Sequence, residues 1–258
     1  MTKAKVVAGI VSTLLFSLLC GAQEITVAAA ADLQFAFQEV AARFQKDTGK
    51  RAKVIYGSSG NFFTQIQNGA PFDVFFSADI DYPRKLEAAG LTEPGSLYEY
   101  ATGSIVIWVP NESKLDLDRG LQALLDPKIQ KIAVANPEHA PYGRAAVAAL
   151  KHENIYDQIA SKLVLGENIS QTASFVVSGS ADVGVIALSL ALSPAMKEKG
   201  RYARIAADEY PAIEQAAVIL KSSKQKETAR QFLDYLKTPA MLDLLKNYGF
   251  VVPEVAKH

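Results

Sequence analysis

Cysteine is all but missing from this chain of 258 residues, in which Cys20 is the only one. No internal disulfide can form, and a fold without such staples must rest on its apolar core. Histidine is nearly as scarce: His139, His152 and His258 are the full set, with none paired at ligand spacing. A zinc site built on thiolates and imidazoles is therefore excluded. An excess of either charge is also missing, with 27 Lys and Arg against 27 Asp and Glu. That balance rules out the basic footprint of a nucleic-acid-binding protein, so no nucleic acid is expected as a partner. Fixed-period repeats, low-complexity tracts and an apolar run of the ~20 residues that cross a bilayer are absent as well.

What is present begins with Lys3 and Lys5, an uncharged run from Val6 to Leu19, and Cys20-Gly21-Ala22 as a small-residue cleavage site. This is the layout of a secretory signal peptide over residues 1–22, which are set apart from the fold. Leu19 is bulkier than the residue expected before a lipid-bearing cysteine, so cleavage is favoured over a lipoprotein anchored through Cys20. Loss of Lys3 and Lys5 leaves 25 positive residues against 27 negative, a net charge of −2 for the exported chain.

Glu24 to Ala29 is a β-type run, and after Asp32, placed as a helix N-cap, Leu33, Phe37, Val40, Ala41 and Phe44 recur at helical spacing. A second strand, Ala52 to Tyr56, meets Gly57-Ser58-Ser59-Gly60-Asn61, and an amphipathic run from Phe62 to Asn68 starts at once. Asp73 to Ser77 reads as a third strand and Asp81 to Ala89 as a short helix. Gly103 to Val109, closed by Pro110, is the strongest strand of the chain. Strand, helix, strand, helix with tight turns is the pattern of a parallel sheet covered by helices. The pattern then restarts: helical over 121–125, extended over 131–135, helical over 142–152, extended over 163–165, helical over 170–178 and extended over 183–187. Two such sets predict two lobes. A late strand over 215–220 and helices over 225–236 and 239–246 are expected to pack back on the first lobe. The division is then residues 23–103 with 217–258 as lobe 1 and 104–216 as lobe 2. Two crossing strands form the hinge, and a ligand lies in the cleft between the lobes.

Catalysis is poorly served by these residues. A nucleophile elbow needs Gly-x-Ser-x-Gly, whereas Tyr56 to Gly60 reads Tyr-Gly-Ser-Ser-Gly and misses that spacing by one residue. Only His139 could act as base for Ser58 or Ser59, so an exported serine hydrolase is the alternative class and no enzyme activity is expected. A bound cation would have to rest on Asp32 and Tyr142, since no adjacent tyrosine pair exists. An anion is better provided for. Ala30-Ala31-Asp32, Gly57-Ser58-Ser59-Gly60, Pro141-Tyr142-Gly143 and Asn168-Ile169-Ser170 each end a strand or loop at a helix N-terminus. Such turns offer unpaired N–H groups without a countercharge, and in an α/β sheet they collect at one edge.

The resemblance becomes specific in the motifs Ala-Ala-Ala-Ala-Asp-Leu at 28–33, Tyr-Gly-Ser-Ser-Gly at 56–60, Gly-Ala-Pro-Phe-Asp-Val-Phe-Phe-Ser-Ala-Asp at 69–79, Asn-Pro-Glu-His-Ala-Pro-Tyr-Gly at 136–143 and Tyr-Gly-Phe at 248–250. In this order, from about residue 24 to the end, the chain resembles the periplasmic molybdate-binding proteins, the receptors of molybdate ABC transporters. The resemblance implies an α/β, two-lobed periplasmic-binding-protein fold of type II, with parallel-rich mixed sheets and helices on both faces. It implies a periplasmic monomer without cofactors that binds molybdate or tungstate and delivers it to a membrane-embedded permease. The implied site falls on Asp32, Ser59, Tyr142 and Ile169, with Ser58, Gly60 and Ala187 as secondary contacts. Uncharged donors hold the oxyanion there, and no protein atom ligates the metal itself. Ser59 gives its hydroxyl and N–H, Ile169 its N–H, and Tyr142 its phenol or N–H.

Two positions depart from the best-known members. Asp32 stands where they often carry serine, and its carboxylate is expected to turn back on its own helix as an N-cap, leaving the ligand only backbone N–H. Ala187 stands where several members carry a tyrosine, a phenol that Tyr142 is expected to replace. Arg144 is expected to be a solvated surface residue and Trp108 a core residue that reports closure. Sulfate or another oxyanion of the same shape is the alternative ligand.

Overall fold

The computed structural model describes residues 24–253, so the signal segment proposed from the sequence, Cys20 included, lies outside the described residues. The strands are β1 Glu24–Ala30, β2 Arg51–Gly57, β3 Val74–Ser77, β4 Tyr98–Gly103, β5 Ile105–Pro110, β6 Ile132–Ala135, β7 Leu163–Gly166, β8 Val183–Ala187, β9 Gly200–Arg204 and β10 Ile213–Ile219. The α-helices are α1 Gln34–Thr48, α2 Ser59–Gln67, α3 Asp81–Ala88, α4 Pro141–His152, α5 Tyr156–Ile159, α6 Ile169–Val177, α7 Leu188–Ala191, α8 Lys226–Leu236 and α9 Pro239–Asn247.

They build two five-stranded sheets, one in the order β2-β1-β3-β10-β4 and the other β7-β6-β8-β5-β9. In each sheet four strands share one direction and one runs against them: β10 against β3 and β4 in the first, β5 against β8 and β9 in the second. The chain leaves the first sheet through Ser104, the single residue between β4 and β5, and returns after β9. The strong strand read over 103–109 is thus the far side of a crossing whose near side is β4. The boundary drawn at 216/217 falls inside β10, all seven residues of which lie in the first sheet.

Alternation along β1 explains why the first sheet is covered twice. Ile25, Val27 and Ala29 face α1 and α8, while Ala28 faces Phe62 and Ile66 of α2. Under α1 and α8, Phe37, Phe44, Phe76 and Phe232 meet edge-to-face with ring centroids 4.8 to 6.2 Å apart. Each fully buried Phe contributes roughly 1.5 to 3 kcal/mol, which is how a chain without disulfides holds its first lobe. The second core gathers on β5, β6 and β8 with Trp108 buried in it, and Ala30, Ala31 and Ala78 of the first lobe pack into that same cluster. The lobes are therefore in contact across the cleft.

Candidate functional site

Five strand ends point at the seam between the lobes. Ala30 ends β1 and Ala31 and Asp32 follow it, Gly57 ends β2 and Ser58 and Ser59 follow it, Ala78 follows β3, Ala140 to Tyr142 lead into α4 after β6, and Ile169 opens α6 after β7. All are at the carboxyl ends of parallel strands, and together they line one very small cavity of about 10 Å³. Asp32, Ser58, Ser59, Tyr142 and Ile169 are thus brought together around one space. Gly60 and Ala187 are not among its lining residues: the Gly60 N–H is committed to the His139 carbonyl at 2.9 Å, and Ala187 is buried in the ladder opposite Ile105. Gly60 has a different task. A Cβ there would lie 2.7 Å from the His139 carbonyl oxygen and 2.9 Å from the Tyr82 hydroxyl, so only glycine lets α2 approach the opposite lobe this closely.

Each donor is oriented by its own element. The Ser59 hydroxyl oxygen accepts the N–H of Ala78 at 2.9 Å, which turns its proton away from Ala78 and leaves it to be donated. Ser59 is completely buried and holds the first position of α2, where the backbone N–H has no partner within the helix. Asn168 caps α6 by accepting the N–H groups of Ser170 and Gln171, leaving that of Ile169 for the cavity. Pro141 opens α4 with its φ preset, and the Tyr142 N–H follows in the same unpaired turn. Three positive helix ends therefore face one small space whose lining includes no Lys or Arg.

Asp32 does not do what its sequence position suggests. It lies inside a 3-10 turn, Ala31–Leu33, that makes no side-chain cap, so the carboxylate is not the N-cap of its own helix. Its Oδ2 instead accepts from the Tyr142 hydroxyl at 2.9 Å and from Gln215 Nε2 at 2.8 Å. Tyr142 crosses the cleft with this bond, so its phenol is spent on Asp32 and its N–H is what remains for a ligand. Gln215 Nε2 also donates to the Tyr142 oxygen at 2.9 Å, and its Oε1 accepts from Tyr100 at 2.7 Å. The Ser189 hydroxyl closes the seam on the other side by donating to the Asp32 carbonyl at 2.8 Å. Burial pushes the Asp32 carboxyl up to about 6, against the downward pull of the Gln215 and Tyr142 hydrogen bonds and, less, of the Asp32 and Leu33 backbone N–H groups. Burial and then the Asp32 charge hold the Tyr142 and Tyr100 phenols well above their usual range.

Gln215, Tyr100 and Ser189 escaped the sequence reading. A single amide at the head of the apolar run 215–220 was the available signal for the first; the tyrosine and the serine gave none. Arg144 is a partly solvated surface residue outside the cavity lining, as expected, but it also pairs with Asp79 of the opposite lobe and donates to the Tyr82 hydroxyl at 3.3 Å. Trp108 belongs to the second core, away from the lining of the cavity. At the rim, Ser58 Oγ lies 3.0 Å from His139 Nδ1, and His139 Nε2 is 3.7 Å from Glu167 Oε2. A serine, an imidazole and a carboxylate in line are the members of a nucleophilic triad. Here the serine is only 4% exposed, and Glu167 directs its other oxygen to the Asn61 amide at 2.5 Å.

Comparison with known proteins places this architecture. A family model described as bacterial extracellular solute-binding protein matches residues 25–251. The chain is 38% identical over 235 residues to the molybdate-binding protein ModA of Rhodobacter capsulatus, covering 91% of each chain. It is 39% identical over 235 residues to ModA of Azotobacter vinelandii, covering 90% of this chain and 92% of that one. The solved periplasmic molybdate-binding protein of A. vinelandii superposes with a TM-score of 0.84 at 35% identity, over 89% of this chain and all of that one. The two mixed sheets flanked by helices are those of the periplasmic-binding-protein fold.

Proposed function

This chain belongs to the bacterial extracellular solute-binding proteins, and from that premise we propose that it captures molybdate in the periplasm and presents it to an ABC permease. Tungstate, a tetrahedral dianion of the same kind, enters the same site. The protein acts as a monomer, performs no chemistry and needs no cofactor, the oxyanion being its cargo. The observation that carries this reading is the Ser59 hydroxyl. It is pinned by the Ala78 N–H so that its proton is free, in a cavity shared with the N–H groups of Ile169 and Tyr142. Neutral donors at helix N-termini hold a dianion without a salt bridge and release it without having to break one.

Thermal melts in the presence of molybdate, tungstate, sulfate and phosphate test the proposal. A ligand at 100 times its dissociation constant stabilises by ~2.7 kcal/mol, which for a protein of this size raises Tm by about 5 to 10 °C. Molybdate and tungstate should do so, and stabilisation by none of the first three would sink the receptor reading. Stabilisation by sulfate alone would move the chain to the receptors of that anion. The Ser58–His139 contact favours a second reading, an exported serine hydrolase. Turnover of a nitrophenyl ester that Ser58→Ala abolishes would establish it.

A further inference from the structure

The two oxygens of Asp32 are treated differently by the protein. Oδ2 accepts from both the Tyr142 hydroxyl and Gln215 Nε2, whereas Oδ1 is buried with no partner in hydrogen-bond geometry, the Asp32 and Leu33 backbone N–H groups exerting only a weaker pull on the carboxylate. The directions of these bonds are fixed by the network itself. Tyr100 donates to Gln215 Oε1, so the amide nitrogen faces Asp32 and Tyr142; Tyr142 accepts from that nitrogen and spends its single proton on Asp32. One oxygen with two donors and the other with none is the pattern of a carboxylic acid, whose C=O accepts and whose O–H donates. The residue lines the cavity with Ser59 and Ile169. An ionised Asp32 would set a third negative charge beside a bound dianion, with no cation among the lining residues to offset it.

We propose that Asp32 holds the oxyanion as a neutral acid, so that one proton enters the site with each dianion and is donated from Oδ1 to an oxygen of the ligand. The inference rests on the oxyanion reading of the cavity and adds its linkage to pH. Molybdate, tungstate and sulfate carry no proton near neutral pH, so the shared proton is taken from solvent onto the protein. Hydrogen phosphate brings its own, which only an ionised Asp32 could accept.

The groups facing Asp32 supply no competing titration near neutrality. Tyr142 from α4 and Tyr100 from β4 stay neutral because burial, the largest cause, holds their phenols well above the usual range. Gln215 from β10, Ser189 from α7, Ser59 from α2 and Ile169 from α6 are uncharged. The His139 imidazole stands one contact further out, against Ser58. Burial, even against the hydrogen bonds that lower it, brings the Asp32 carboxyl to about 6, and a dianion beside it moves the equilibrium further toward the acid.

Isothermal titration of the receptor with sodium molybdate at pH 8, in buffers of different ionisation enthalpy, counts the protons. Uptake approaching one per molybdate is expected, with affinity falling about tenfold from pH 7 to pH 8 and a protonated-carboxyl band in the infrared difference spectrum on binding. In Asp32→Asn, whose amide can accept from Tyr142 and Gln215 and donate to the anion, the uptake, the pH slope and the band should all disappear. Molybdate binding without proton uptake in the wild type would overturn the inference, as would uptake that persists in Asp32→Asn. Phosphate bound more tightly than molybdate as pH rises would overturn it too, because Asp32 would then be accepting a proton from the ligand. Absence of binding by the wild type at any pH would instead overturn the oxyanion reading, and this inference with it.

Discussion

Replacing Ser59 by alanine removes one oxygen that does two jobs. On the proposed reading the hydroxyl donates to the bound anion, and a hydrogen bond to a charged group contributes ~1.5 to 3 kcal/mol, so its loss should weaken binding roughly tenfold to a hundredfold. The same oxygen accepts the buried Ala78 N–H at 2.9 Å, and that donor loses its partner in the variant. An unsatisfied buried N–H costs about 1 to 3 kcal/mol, which lowers the Tm of the ligand-free protein by roughly 2 to 10 °C. The two effects separate experimentally: unliganded melts read the Ala78 cost, and calorimetric titration with molybdate reads both. An unchanged affinity in Ser59→Ala would remove Ser59 from the site and break the chain of reasoning from the α2 turn to the anion. A lowered affinity with an unchanged unliganded Tm would refute only the orientation assigned to its hydroxyl.

The pH dependence of stability has a definite sign. Because burial raises the Asp32 carboxyl from 3.8 to about 6, the folded state binds more protons than the unfolded one between those values. Asp32 therefore favours folding most below pH 4, and its contribution falls by up to about 3 kcal/mol as pH rises through 6. Urea midpoints of wild type and Asp32→Asn, compared from pH 4 to 7.5, should diverge in that direction; parallel curves would contradict it. Gly103→Ala should destabilise the protein and weaken binding together. Its Cβ would overlap the Tyr142 hydroxyl and lie 2.7 Å from Gln215 Nε2, a collision that melts and titrations both detect. Arg144→Ala should cost less than about fivefold in affinity, since the Arg144 side chain in the pair with Asp79 is 39% exposed and such pairs contribute ~0 to 1 kcal/mol. A salt titration comparing it with wild type would register a larger role.

What the sequence disclosed follows from distance along the chain. β1, β2 and α2 have their hydrophobic periods and turn residues within a few positions of one another, so the Ser59 turn could be read directly. The link from Asp32 to Tyr142 joins residues 110 apart and the one to Gln215 joins residues 183 apart, and no local pattern announces either. The N-cap expected at Asp32 failed for the same reason: a partner from the other lobe outcompetes the backbone next door. β4 and β9 went unread because Tyr98 to Gly103 and Gly200 to Arg204 mix charged, small and tyrosine residues, with no apolar run to mark a strand.

Around the cavity the seam between the lobes is made largely of methyl groups. Ala30, Ala31 and Ala78 reach the core of the second lobe there, with the larger Phe35, Tyr56 and Ile213 outside the cavity lining, and a buried methyl or methylene contributes only ~0.8 kcal/mol. Small side chains let the two backbones come close enough for their N–H groups to face one small space, while the lobes are joined beside it by separate polar contacts such as Tyr142 to Asp32, Ser189 to Asp32 and Asn61 to Glu167. The proposed grip is thereby one of fit, in which closeness of the backbones rather than a large apolar interface shapes the space for the cargo.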